Sequence, residues 1–306
     1  MMDVTRIRDA VRDAGLDGWL FCDFHNRDAI AYRILGLDFH KFTSRRWFYL
    51  VPAQGEPVRL LSRVEPARLD ALPGEQRFYR SWRELQEALA TLVKNRKIAM
   101  QYSPNNAIPY VSLVDGGTIE LVRAAGAEVV SSADLVQTFE AVLDEAAYQS
   151  HVEAGRRIHP IKDEAFALIG QALRERTVLT EYDVQRFILR RFDEEGLDCM
   201  GENPIVGVNG HPSDPHFEPT PQNTVPIRAG DTILIDLWAK LRQPGSVFFD
   251  ITWCGFAGAT PPDRYHHIFE VVCAARDAAV DFVRRRFETG QGCFGYEVDD
   301  ATRNVV

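Results

Sequence analysis

The chain has 306 residues, of which 45% are hydrophobic and 26% are charged, a composition typical of folded globular proteins rather than of disordered segments. Its formal net charge of −9 argues against a protein whose main partner is a nucleic acid, because that partner requires a basic face. The five cysteines include no CxxC pair, and no apolar run reaches the roughly 20 residues that span a bilayer. We therefore expect a cytoplasmic protein without disulfides, and no binding to membranes.

The length predicts two domains, and the first is expected over residues 1–130. Helix and strand patterns alternate there, which favours a small α/β domain. The predicted elements are a helix on the stripe Val4, Ile7 and Val11 that ends at Gly15, strands at 18–22, 47–51 and 58–61 with a hairpin turn at 54–57, a helix at 82–93 and a strand at 97–101.

The second domain is expected over residues 131–306, where helices come first and strands follow. One periodic stretch, 139–174, predicts a long helix that connects the domains. The next helix begins after Thr180, which is followed by Asp183 at the spacing of a capping box. Strands are then predicted at 205–208, 232–238 and 247–252, and a last long helix at 262–287.

Two aspartates, Asp236 and Asp250, stand inside strongly apolar strand segments on either side of a Gln-Pro-Gly turn. If the strands fold back at Gln243, both residues lie seven positions from it and are expected to face each other. Carboxylates on directly opposed residues, about 5 Å apart, do not both stay ionised without a cation between them. The pair therefore predicts a site for a divalent metal ion. The alternative is that one aspartate ends a strand while the other pairs with Lys240 or Arg242.

Upstream of these strands, a loop rich in glycine and proline carries two histidines, His211 and His216. Loops on a rigid scaffold often carry functional side chains, and the prolines restrict this one. A solvated role is the alternative for each histidine, and the sequence context favours a functional role for His216 over His211.

The segment Pro-His-Phe-Glu-Pro-Thr at 215–220, followed by Ile-Leu-Ile-Asp at 233–236 and Phe-Asp-Ile-Thr at 249–252, resembles the creatinase/aminopeptidase P/methionine aminopeptidase superfamily, peptidase family M24. The resemblance is closest to Xaa-Pro aminopeptidases and Xaa-Pro dipeptidases. It implies an α+β fold: a creatinase-like N-terminal α/β domain, then a pita-bread metallopeptidase domain.

The resemblance also implies a function. Asp236 and Asp250 match metal ligands of the family, and His216 matches a histidine that contacts the substrate. The family holds two divalent ions, with Mn²⁺ expected and Co²⁺ or Zn²⁺ as alternatives, and they activate a hydroxide that releases an N-terminal residue preceding proline. A peptide substrate and a homodimer are expected from the same resemblance.

In two respects the sequence departs from the family pattern. The spacing between Asp236 and Asp250 is longer than usual, which we attribute to a larger turn at 242–246. The family's later ligands, a histidine and two glutamates, have no counterpart before Val306. We therefore expect a pita-bread domain that is incomplete at its C-terminus, and no peptide hydrolysis by these 306 residues alone. Alternative functions are an Xaa-Pro dipeptidase, a creatinase-like amidohydrolase, or a peptide-binding module of the same fold without catalysis.

Overall fold

The computed structural model describes residues 3–306, and the chain divides into two compact units, the first ending at Val142 and the second beginning at Leu143. The boundary predicted at residue 130 falls inside the first unit. The reason is a helix at Ala133–Glu140, whose Leu135 and Val136 are buried in the core of that unit. Within the described residues, no helix combines the length and the apolar character that crossing a membrane requires.

The first unit is a six-stranded sheet with helices on both faces. Its strands are β1 (Gly18–Asp23), β2 (Trp47–Pro52), β3 (Val58–Ser62), β4 (Glu75–Tyr79), β5 (Lys97–Met100) and β6 (Glu128–Ser131), and its helices are α1 (Val4–Asp13), α2 (Ala29–Leu35), α3 (Trp82–Val93), α4 (Gly116–Ala124) and α5 (Ala133–Glu140). The strand order is β4-β3-β2-β1-β5-β6. This architecture agrees with the α/β pattern expected from the sequence.

Strand β2 is the one antiparallel member of this sheet, since it pairs antiparallel with both β1 and β3. The other pairs, β3 with β4, β1 with β5 and β5 with β6, are parallel. The carboxyl ends of β1, β3, β4, β5 and β6 therefore lie along one edge of the sheet, together with the amino end of β2.

The second unit is built on α6 (Glu145–Glu175) and α7 (Glu181–Glu194), which pack against a small antiparallel sheet. That sheet contains β7 (Leu197–Asp198), β8 (Ile205–Val208), β9 (Thr232–Leu241) and β10 (Phe249–Phe256), and the chain ends with α8 (Asp263–Glu288) and α9 (Gly295–Arg303). Strand β9 is central, with β10 on one side and β7 and β8 on the other. Every second residue of β9, beginning with Ile233, is buried in the core of this unit.

The single helix predicted over 139–174 is wrong at its beginning, because two helices, α5 and α6, lie there. Asp144 caps α6 by accepting a hydrogen bond from the main-chain N–H of Ala147 at 2.8 Å. This cap starts a new helix, so the apolar periodicity continues across a break in the backbone.

Two glycines of α6 differ in the space around them, which predicts opposite effects of the same substitution. A Cβ on Gly155 would lie 2.6 Å from the ring of Phe249, the residue before Asp250, whereas a Cβ on Gly170 would meet only the end of the Arg174 side chain. We expect Gly155→Ala to lower the free energy of unfolding by about 1–2 kcal/mol through overpacking. Gly170→Ala should raise it by about 0.5–1 kcal/mol, because alanine favours a helix over glycine. Urea unfolding of both variants checks this prediction, and shifts of the same sign would contradict it.

Candidate metal centre

Asp236 lies on β9 and Asp250 on β10, and the two strands form the predicted hairpin with a register that differs from the expected one. Asp250 is opposite Trp238, and Asp236 is opposite Thr252. The expectation that the two aspartates directly face each other is therefore wrong by two residues. The turn accounts for the shift: the N–H of Ser246 donates to the carbonyl of Gln243, with Pro244 and Gly245 between them, so the hairpin folds about Pro244 rather than about Gln243.

The two carboxylates nevertheless lie on the same face of the hairpin, as diagonal neighbours, because side chains two residues apart on a strand share a face. The Thr252 hydroxyl donates a 2.6 Å hydrogen bond to Oδ1 of Asp236 and so fixes that carboxylate. Asp250 is an exposed residue, but partial burial of its carboxylate, followed by the charge of Asp236, holds the pKa of this group above its ordinary value. The effect of Asp236 on the pKa of Asp250 indicates that the two acidic groups are close enough to interact.

The alternative in which one aspartate pairs with a nearby cation fails for both candidate partners. The Arg242 guanidinium forms an ion pair of 2.7 Å with Asp193, and the Lys240 ammonium lies 5.1 Å from the centre of the Phe248 ring. No ion pair among residues 3–306 involves Asp236 or Asp250. Their negative charges are therefore free to bind a cation.

The donor set of this site fits a hard divalent cation, because carboxylate and hydroxyl oxygens are the ligands that Mg²⁺ and Mn²⁺ prefer. The fit is partial. In the part of the chain that the structure describes, no cluster of three or more histidine, cysteine, aspartate or glutamate side chains is arranged to hold a metal ion. Asp236 and Asp250 therefore fit as two ligands of a metal site.

His216 lies in the loop after β8, beyond a short 3₁₀ turn at His211–Ser213, and its side chain is exposed. Its main-chain N–H donates to Asp214 at 2.9 Å. Strand β8 pairs with β9 and places Ile205 opposite Asp236. The loop thus extends from the strand next to the one that carries Asp236. None of the hydrogen bonds found among residues 3–306 joins the His216 imidazole to either aspartate.

Glu181, which no sequence pattern singled out, has a completely buried carboxylate that holds both ends of the loop that contains His216. Its Oε1 accepts hydrogen bonds from the N–H of Val208, at 2.8 Å, and from Nδ1 of His211, at 2.7 Å. Its Oε2 accepts the N–H of Val225 at 3.1 Å. The loop 209–224 is therefore closed by one side chain, with the His211 ring packed 4.3 Å from that of Phe217.

The sequence signal for this role was weak, because an acidic residue in the first turn of a helix is common and usually interacts only with the helix dipole. The predicted capping box of α7 is present: Thr180 and Asp183 exchange hydrogen bonds at the start of the helix. This cap places Glu181 at the first position of the helix, pointing toward the loop. His211 thus has a structural partner, whereas His216 remains exposed.

The family model described as Metallopeptidase family M24 matches residues 153–306, which contain all three predicted site residues. No curated protein matches the chain.

Among solved structures, a dipeptidase PepE from Mycobacterium ulcerans is similar over 99% of this chain and 74% of its own, with 21% identity and a TM-score of 0.64. A prolidase from Thermococcus sibiricus is similar over 100% of this chain and 77% of its own, with 18% identity and a TM-score of 0.56. An X-prolyl aminopeptidase from Caenorhabditis elegans, described as a cytosolic enzyme with a di-nuclear active site, is similar over 99% of this chain and 47% of its own, with 14% identity and a TM-score of 0.61. These similarities confirm the expected α+β fold, with the pita-bread type of metallopeptidase domain.

Proposed function

Because the chain belongs to metallopeptidase family M24, we propose that it is a metal-dependent peptidase that acts on bonds formed by proline, with Asp236 and Asp250 as metal ligands. One observation carries this proposal: two carboxylates that have no cationic partner within residues 3–306 share one face of the β9–β10 hairpin. The Xaa-Pro specificity is supported by the prolidase and the X-prolyl aminopeptidase among the similar structures. We propose an aminopeptidase, with two divalent ions and Mn²⁺ as the first metal to test, and a dipeptidase as the alternative.

Each residue of the candidate site has a separate proposed role in this reaction. Asp236 and Asp250 would hold the cation, and Thr252 orients the first of these carboxylates. A bound divalent ion would supply a Lewis acid that polarises the scissile carbonyl. The exposed imidazole of His216 is proposed to donate a hydrogen bond to that carbonyl oxygen, where negative charge develops during attack. Glu181 positions His216 indirectly, because it closes the loop.

Binding of Mn²⁺, followed by calorimetry and electron paramagnetic resonance, tests this proposal without depending on turnover. We expect the chain to bind Mn²⁺ weakly, with a dissociation constant on the order of 10⁻⁴ to 10⁻³ M, because few charged ligands give low affinity. Asp236→Asn and Asp250→Asn should each weaken binding at least about tenfold, since each removes a charged ligand. Asp277→Asn, an exposed carboxylate of α8, is the matched control and should change nothing. Equal Mn²⁺ binding by all four proteins would refute the proposed ligands.

Hydrolysis assays distinguish the substrate classes. An Xaa-Pro dipeptide reports dipeptidase activity, and a longer peptide with proline in second position reports aminopeptidase activity. The expectation that these 306 residues alone hydrolyse neither stays a prediction, and release of a free amino acid that depends on Mn²⁺ and is lost in Asp250→Asn would contradict it. Such a result would at the same time support the proposed peptidase.

A second candidate function, peptide binding without hydrolysis, is favoured by one observation: among the described residues, no third metal-binding side chain joins the two aspartates. The same peptides separate the two functions. A non-catalytic binder should bind a proline-containing peptide saturably with the same affinity without Mn²⁺ and after Asp236→Asn, whereas peptide binding by the proposed peptidase should depend on Mn²⁺ and on both aspartates.

A further inference from the structure

We propose that the first unit contains an anion-binding site at the carboxyl edge of its sheet, where Arg45, Arg46 and Arg80 bind a small ligand that carries phosphate or carboxylate groups. This site goes beyond the proposed peptidase function, since it involves none of the residues assigned to the metal centre.

The site lies where open α/β sheets commonly bind ligands, in a crevice outside the carboxyl ends of parallel strands. The parallel strands β3 and β4 end at Ser62 and Tyr79, and the antiparallel β2 begins beside them, directly after Arg45 and Arg46. Between these chain segments and the start of α3 is a cavity of about 470 Å³. It is large enough for a small organic anion and is open to solvent.

Three arginines line this cavity, and none of them has a carboxylate partner in the described part of the chain. None of the ion pairs found within residues 3–306 involves Arg45, Arg46 or Arg80. The chain as a whole has a formal net charge of −9. The cavity is therefore a local positive surface on an acidic protein.

Two carboxylates close to these arginines are occupied elsewhere. Glu65 accepts hydrogen bonds from the N–H and hydroxyl of Ser44 and from the main-chain N–H of Arg45. Glu84 accepts the main-chain N–H of Arg80 at 2.7 Å. Both acidic groups thus order the chain segments that carry the arginines, and neither comes within ion-pair distance of a guanidinium group. The Arg45 guanidinium donates to the carbonyl and hydroxyl oxygens of Ser44, and its remaining N–H groups are available to an added anion.

Aromatic rings orient one of the arginines and provide a surface for the rest of a ligand. The Arg46 guanidinium lies 5.5 Å from the ring centres of both Phe24 and Trp82. Such stacking leaves the edge of the guanidinium free to form paired hydrogen bonds with an oxyanion. Trp82 is 53% exposed and is available to stack with a planar group. The cavity therefore fits a phosphorylated or carboxylated organic molecule.

Calorimetric titration of the whole chain with pyrophosphate and with citrate tests the site, with sodium chloride at equal ionic strength as the blank. We expect saturable binding of at least one of these anions. The double variant Arg45→Gln/Arg80→Gln should weaken it at least about tenfold, because hydrogen bonds to charged groups are lost. These two side chains are exposed, so folding should be unaffected, and circular dichroism checks this. Arg83→Gln, an exposed arginine of α3 that does not line the cavity, is the matched control.

The result of each titration either identifies the class of ligand or overturns the proposal. Binding of pyrophosphate alone assigns phosphate esters as the ligand class, binding of citrate alone assigns carboxylates, and binding of both assigns oxyanions in general. Absence of saturable binding by the unmodified chain overturns the proposal. It is overturned equally if Arg83→Gln weakens binding as much as the double variant does, since that result indicates unspecific charge attraction. Mn²⁺ binding at Asp236 and Asp250 is independent of all these results.

Discussion

Glu181→Leu is expected to lower the free energy of unfolding by about 2–5 kcal/mol. Leucine is similar in size but accepts no hydrogen bonds, so the N–H groups of Val208 and Val225 and the His211 imidazole lose their acceptor. A buried donor left without a partner costs about 1–3 kcal/mol. Urea unfolding measures the loss, and hydrogen exchange at the Val208 amide should accelerate more than exchange in α3.

The matched control is Glu194→Gln, which removes an exposed carboxylate from the other end of the same helix. Its ion pair with Arg191 is at the surface, so its loss should cost less than about 1 kcal/mol. If Glu181→Leu unfolds at the same urea concentration as this control, Glu181 does not hold the loop that carries His216.

Asp28 should make the chain less stable as the pH rises from about 4 to about 7. Its side chain is 2% exposed; Oδ1 accepts the N–H of Ala31, while the buried Oδ2 has no hydrogen-bond partner among residues 3–306. Burial raises the pKa of Asp28 to about 7, with a contribution from the charge of Asp23. The folded state therefore keeps a proton that the unfolded state, with a pKa of 3.8, has already released. Stability from this group is complete below pH 4 and is lost by about pH 7.

Asp28→Asn should remove this dependence, because asparagine still caps α2 through its carbonyl oxygen and carries no charge. We expect the variant to be about 2–4 kcal/mol more stable than the unmodified chain at pH 8, and about equal to it at pH 4. Thermal and urea unfolding at both pH values provide the comparison.

Asp115→Asn is the control for this prediction, since Asp115 lines the same small cavity as Asp28 but has hydrogen-bond partners. Burial acts to raise the pKa of Asp115, but the hydrogen bonds from Thr118 outweigh it and the pKa lies below its ordinary value. Asp115→Asn should therefore give no stabilisation at pH 8. A gain equal to that of Asp28→Asn would show that the cavity, rather than the unpartnered carboxylate, causes the effect.

Elements with a strong local signal were predicted from the sequence. The β2–β3 hairpin follows from its turn residues, and α7 from its capping box. Strand β4 and helix α4 were not predicted, because the exposed face of β4 is polar and α4 begins with two glycines. Contacts with the rest of the unit stabilise such elements, and a local pattern does not reveal them.

The geometry of the candidate site could likewise not be predicted from local sequence patterns alone. The type of residue and the apolar surroundings identified Asp236 and Asp250, but the register depended on where the turn folds, and one residue at the turn moves the facing residues by two. The role of Glu181 was not predicted, because its three hydrogen-bond partners are 27, 30 and 44 residues away in the sequence. Side chains that act across such distances are recognised only when the fold is known.

The antiparallel pairing of β9 with β10 determines how much conformational freedom Asp236 and Asp250 lose when a ligand binds. Main-chain hydrogen bonds already fix the two Cα positions, and Thr252 restrains one carboxylate. A cation that binds there would immobilise only a few side-chain torsions, so little conformational entropy opposes binding. Affinity at this hairpin is then limited by the number of oxygen donors rather than by their arrangement.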